Sequence, residues 1–148
     1  MERPVHRLLL TLIVIAGVGT VPVRAQETIG IAFVQAPEQS AGTCVGGNLD
    51  KAFACAREQC AKQEGVSPGD CLRVKWCYPA GWAADLFVQH KEGIHWHDYL
   101  CGWNSKEDLL AAIKVRCEGS SREWLIECSV VKAWDNGKEE DVVYSLPR

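Results

Sequence analysis

The sequence predicts an α+β fold: a ββαβ unit written twice, with two helices on a mostly antiparallel sheet of about six strands, stabilised by disulfides. Three observations carry this. Cys44, Cys60 and Cys71 recur as Cys101, Cys117 and Cys128, each 57 residues further on and without a gap. The residues around them agree, since Asp50 matches Glu107, Ala54 matches Ala111, and Cys71, Val74 and Lys75 match Cys128, Val131 and Lys132. Each copy also places one run of helical period among short apolar runs bounded by Gly, Pro and Asn.

In the first copy, residues 29–35 read as a strand, 37–40 as a turn and 41–46 as a second, shorter strand. Asn48 is placed to cap a helix over residues 49–63, in which Leu49, Ala52, Phe53, Ala56 and Cys60 share one face. Gly65 and Pro68 stop it, residues 70–78 form the third strand, and Pro79 to Gly81 turns the chain into the second copy. There, residues 81–89 and 94–103 are strands around a turn at 91–93. Ser105 caps a helix with Glu107 and Asp108 at its positive end, and residues 122–134 form the last long strand. Asn136-Gly137 marks a tight hairpin, so residues 142–144 are expected to fold back as an extra strand and residues 145–148 to fray. The repeats thus cover about 29–79 and 80–134, followed by a C-terminal tail. Strand alternation leaves open which face the helices cover: Leu72, Val74 and Trp76 are the more apolar set in one copy, whereas Cys128, Val130 and Trp134 suggest the opposite face in the other.

Ahead of this domain, Arg3, His6 and Arg7 precede an apolar run over residues 8–18 and a Val23-Arg24-Ala25 end, the pattern of a secretory signal peptide over residues 1–25. The run is broken by Gly17, Gly19 and Pro22 and falls short of the about 20 apolar residues of a membrane span. Residues 26–148 then form a single domain. Losing Arg3, Arg7, Arg24 and Glu2 takes the formal charge from −3 to −5, and with no basic run the composition argues against a nucleic-acid partner. All 8 cysteines follow residue 25, an even number in an exported chain, which predicts four disulfides and a periplasmic or secreted location.

Cys60 and Cys117 stand at helix ends, with Cys71 and Cys128 at the following strand starts, so Cys60–Cys71 and Cys117–Cys128 are expected. Six strand residues climb about 20 Å, which brings Cys77 level with Cys44 and leaves Cys55 for Cys101. A competing map pairs Cys44 with Cys101 and Cys55 with Cys77.

The helices ending Ala-x-x-x-x-x-Cys, each followed about eleven residues later by Cys-x-x-Val, with Trp-bearing strands between and a signal peptide ahead, resemble the bacterial family called "domain of unknown function 4189". The likeness runs from Ile29 to about Trp134. It implies a small exported bacterial domain, commonly from Gram-negative species, with no established reaction. Where such families often carry a cysteine near the end of the last strand, to partner the one here at Cys77, this chain has Trp134, and it adds Cys44, Cys55 and Cys101.

No Cys-x-x-Cys supports a redox pair or a zinc ribbon. His95 and His97, two apart on a strand, point the same way and are the candidate metal ligands, with His90 and Asp98 nearby. Asp98 should point to the opposite face, and a solvated strand face competes with the metal reading. Of the 6 tryptophans, Trp76 and Trp124 are expected in the core, whereas Trp82, Trp96 and Trp103 are candidates for a ligand surface. Ser105 reads as a cap and Ser129 as mid-strand, no Gly-x-Ser-x-Gly occurs, and the carboxylate pairs read as surface groups, so hydrolysis would fall to His95 or His97 with Lys91. His95, Trp96, His97 and Tyr99 lie in a stretch by which the second copy exceeds the first, so the fold does not require them and they are free to bind. The expected ligand set is Trp82, His95, Trp96, His97, Tyr99 and Trp103. The leading expectation is a cofactor-free, non-enzymatic exported domain that binds a glycan, an envelope component or a protein, possible inhibition of a hydrolase included. The alternatives are a small histidine- or metal-dependent hydrolase and a structural envelope protein.

Overall fold

The computed structural model describes residues 28–120 and 122–146. The expected signal peptide, residues 1–25, lies outside them, as do residues 147 and 148. The elements are β1 (Gly30–Ala36), β2 (Ser40–Gly46), α1 (Leu49–Cys60), β3 (Leu72–Cys77), β4 (Trp82–His90), β5 (His95–Trp103), α2 (Lys106–Glu118), β6 (Leu125–Asp135) and β7 (Lys138–Glu140). The fold is α+β and every strand pair is antiparallel. Asn48 and Ser105 cap the helices as expected, accepting from the amides of Lys51 and Asp108.

The expected single sheet is instead two, ordered β2-β1-β3 and β5-β4-β6-β7. The central strands explain the division. Along β1, Ala32, Val34 and Ala36 join a core with Phe53, Ala56 and Cys60 of α1, whereas Ile31 and Phe33 join a different core with Ala83, Tyr99 and Trp134 of the second sheet. Along β4, Ala84, Leu86 and Val88 pack with Leu109, Ile113 and Cys117 of α2. Each sheet is therefore apolar on both faces and needs two covers. The layers run α1, first sheet, second sheet, α2. Gly42 lets the first pair of layers close, because a Cβ there would collide with the Ala56 carbonyl of α1.

The central strand of each sheet meets its later partner with a bulge. β1 meets β3 with a shift between Phe33 and Val34 that leaves Val74 extra, and β4 meets β6 with a shift between Asp85 and Leu86 that leaves Val131 extra. These bulges lie 57 residues apart in the sequence. A bulge reverses the alternation beyond it, which is why Leu72, Val74 and Trp76 do not form one face and why Cys128 and Trp134 point to opposite cores. The correspondence sets Asp85 where Phe33 stands and Lys132 where Lys75 stands. On the neighbouring strands, Tyr99 takes the place of Thr43 and His97 that of Ala41.

Four disulfides staple the layers. Cys60–Cys71 and Cys117–Cys128 tie each helix end to the next strand, as the spacing predicts. The other two are Cys44–Cys55 and Cys77–Cys101, so neither Cys44–Cys77 with Cys55–Cys101 nor the competing map is realised. Cys77 does lie nearly level with Cys44, opposite Ile31 and Ala32 respectively. Adjacent strand residues point to opposite faces. Cys44 therefore meets α1, and Cys77 faces the second sheet and reaches Cys101 on β5.

The hairpin at Asn136-Gly137 has φ of 46° and 83°, the left-handed pair of a two-residue turn, and it returns the chain at once as β7. The extra strand is thus at Lys138–Glu140 rather than 142–144. Residues 145 and 146 do not fray: Ser145 bridges Ser129, and the Leu146 amide donates to the Cys128 carbonyl. Trp134 is a core ring at 7% exposure. Trp124, expected in the core, is 53% exposed on a short 3-10 turn, where it stacks on His90 and lies beneath Lys91.

Candidate functional site

The interface between the sheets is filled at one end by Phe33, Tyr99 and Trp134, with Phe33 stacked on Tyr99 at 4.7 Å. At the other end the sheets part, leaving a cleft of about 470 Å³ between the β1–β2 hairpin and the face of β4, β5 and β6. Val131 and Lys132 at the β6 bulge border it, in keeping with the use of bulges to re-aim side chains beside sites.

Asp85 forms part of its floor at 7% exposure, the buried charged residue among those described. A buried carboxylate is costly unless partnered. Its partner is His97, whose Nδ1 donates to Asp85 Oδ1 at 2.7 Å. The two sit on adjacent strands one register step apart, because Asp85 opposes Tyr99 and His97 opposes Phe87. Since an ionised carboxylate can only accept, this bond puts the proton on Nδ1 and leaves Nε2 as the free polar atom of a ring that lines the cleft. Asp85 holds His97 protonated to higher pH than an ordinary histidine, first through the hydrogen bond, against desolvation.

Phe87 lies between His95 and His97, with ring centres 5.6 and 5.9 Å away. Tyr99 stacks beyond His97 at 6.3 Å; its hydroxyl is buried without a hydrogen-bond partner among the described residues, and burial, then Asp85, pushes its pKa well up. Lys132, across the strand pair from Asp85, is joined to Glu139 at 3.3 Å. Chemically, this is a carboxylate-oriented imidazole on an aromatic floor. It can donate or accept a hydrogen bond, or exchange a proton, at Nε2.

Of the predicted ligand set, His95 and His97 line the cleft, whereas Tyr99, at 1% exposure, is a core ring behind His97 and not part of the lining. The structure separates the tryptophans. Trp82 and Trp96 pack toward the α2-side core, although Trp96 also borders the cleft, and Trp103, at 37% exposure, lines a shallow groove with Leu100, Ala112 and Val115. Gly102, at φ 85°, helps to place Trp103 opposite Trp82. The strand face carrying the histidines is a cleft wall rather than an open solvated face. Asp98 points to the opposite side, to Arg116 of α2, and His90 and Lys91 are engaged with Trp124. Among the described residues no group of three or more His, Cys, Asp or Glu side chains is placed to hold a metal. Asp85 was not among the predicted site residues. Its signal is an acid inside the otherwise apolar run from Ala83 to Val88.

The chain matches no family model, no curated protein and no solved structure. Four disulfides in one small domain are characteristic of chains that fold in an oxidising compartment. No described helix is long and apolar enough to cross a membrane.

Proposed function

We propose that this chain is an exported, non-catalytic binding domain whose ligand site is the cleft between the sheets. One observation carries the reading: where the first half has Phe33 and Ala41 on its inner face, the second half has the Asp85–His97 pair at a cleft, with Asp85 buried and His97 half-buried. The fold is satisfied by an apolar residue at that position, so the polar pair answers to something else. Local rules are broken chiefly at functional sites. The matching element order and helix-end disulfides of the two halves support descent by duplication. Titrating the oxidised protein with soluble sugar and peptide fragments of a bacterial envelope, followed by amide NMR, tests the site. Shifts concentrated at Asp85, Phe87, His95 and His97 are expected, and shifts confined to the groove at Trp103 and Val115 would overturn it.

A second reading, a histidine-dependent hydrolase, is favoured by the 2.7 Å contact between His97 Nδ1 and Asp85, the arrangement that orients an imidazole for proton transfer. Mass spectrometry of the same fragments during prolonged incubation separates the two. Unchanged fragments support binding alone, and time-dependent cleavage lost in His97→Ala supports hydrolysis.

A further inference from the structure

Of the charged groups that line the cleft, Asp85 pairs with His97 and Lys132 with Glu139, while Glu38 stands exposed at the β1–β2 turn. An anionic ligand group reaching His97 would come upon the buried Asp85 carboxylate directly behind it, and a cationic group would meet the imidazolium and Lys132. The uncharged hydrogen-bonding groups are of a different kind. The side-chain amides of Gln35 and Gln39, the Thr43 hydroxyl and the His97 imidazole all line the cleft. Each of these groups can both donate and accept. Hydroxyl groups have the same double character. Beside them lie ring surfaces, Phe87 between the two histidines and Trp134 at the inner end, which suit the apolar C–H face of a sugar ring. The cleft's about 470 Å³ falls in the size range of small-ligand sites.

From this lining we infer that the cleft binds a neutral saccharide of one or two rings, with ring hydroxyls on His97 Nε2 and the Gln35 and Gln39 amides and a C–H face on Phe87 and His95. The inference rests on the cleft being the ligand site. His97 and Phe87 are the contact residues. Asp85 is a positioning residue: it holds the imidazole so that Nε2, rather than Nδ1, meets the ligand. A saccharide hydroxyl is served by either protonation state of His97, because Nε2 accepts when neutral and donates when protonated.

The test is amide NMR titration of the oxidised protein with cellobiose and chitobiose as neutral probes, a digalacturonate as the anionic probe and a neutral tetrapeptide as the non-sugar probe. At least one neutral disaccharide should move the signals of Gln39, Phe87, His95 and His97 at millimolar concentration. His97→Ala should weaken that binding about tenfold, the loss expected when one hydrogen bond in a sheltered site goes unmade. His97→Gln, whose amide also donates and accepts, should recover part of it. Asp85→Asn should weaken binding and shift the imidazole nitrogen resonances of His97, a change that a purely structural role would not produce; an unchanged amide spectrum elsewhere shows that each variant folds. Binding of the digalacturonate or the tetrapeptide at the cleft without the neutral disaccharides overturns the saccharide inference and leaves the cleft as the site. Failure of every probe to move the cleft signals also overturns it, and shifts only near Trp103 and Val115 overturn the site as well.

Discussion

Writing the first half's residues into the second is the sharpest test of whether the Asp85–His97 pair serves the fold. In the double variant Asp85→Phe, His97→Ala, both positions take the identity of their register counterparts, Phe33 and Ala41. Removing a buried ion pair in favour of apolar groups is close to neutral or stabilising, by up to about 4 kcal/mol. That range already contains the hydrophobic gain of the new Phe, and it is set against overpacking of about 1–3 kcal/mol. The open cleft of about 470 Å³ beside Asp85 gives the ring somewhere to go, which holds the overpacking near its lower end. Losing the His97 ring from its place between Phe87 and Tyr99 costs about 1 kcal/mol. The net expectation is a stability within about 2 kcal/mol of the wild type in either direction, or a Tm within about 8 °C for a domain of this size, together with complete loss of ligand binding. Urea denaturation followed by tryptophan fluorescence, with the disulfides intact, reads the stability. A loss of more than about 2 kcal/mol would show that the pair holds the sheets together, and the assignment of the cleft as a functional site would lose its foundation.

Trp134→Ala, at 7% exposure, should cost about 3–5 kcal/mol, whereas Trp124→Ala, at 53%, should cost under about 1 kcal/mol; paired thermal melts with the order reversed would contradict the layer arrangement. Peptide mapping without reduction should recover Cys44–Cys55 and Cys77–Cys101. Replacing Cys77 and Cys101 together by Ser should cost about 3.4 kcal/mol for the 24-residue separation, against about 2.8 kcal/mol for the 11-residue pair Cys44 and Cys55, read from urea midpoints. The raised pKa of His97 means that the folded protein holds its proton more tightly than the unfolded chain. The corresponding stability is fully present below the unfolded value of about 6.5 and is lost as pH rises through the folded value. Urea midpoints of the wild type should fall across that window relative to Asp85→Asn, and parallel curves would show that Asp85 does not hold the proton.

Much of the local structure was legible because its causes are local. Asn48 and Ser105 cap where short polar side chains precede apolar helical runs, and Asn136-Gly137 supplies the two left-handed residues that a tight hairpin demands. Cys60–Cys71 and Cys117–Cys128 followed from one spacing repeated in two places. His95 and His97 share a face, and Asp98 takes the other, because strand alternation holds over the four residues from His95 to Asp98.

What the sequence determined alone was therefore the element order, the caps, the repeated helix-end disulfide and the one-sided placement of the two histidines. Tertiary structure decided the faces. The bulged residues Val74 and Val131 reverse the alternation in β3 and β6, and no composition signal marks a valine as the extra residue of a ladder. That reversal sends Trp134 to the inner interface. Along β1 the plain alternation sends neighbouring levels to opposite sides, so Cys44 meets α1 while Cys77 crosses to the second sheet. The division into two sheets likewise depends on each sheet being covered twice, which becomes visible only when the cores are assembled. Asp85 reads in the sequence as one acid in an apolar run; its meaning comes from long-range pairing, which sets it against His97 at the cleft and in register with Phe33 of the other half.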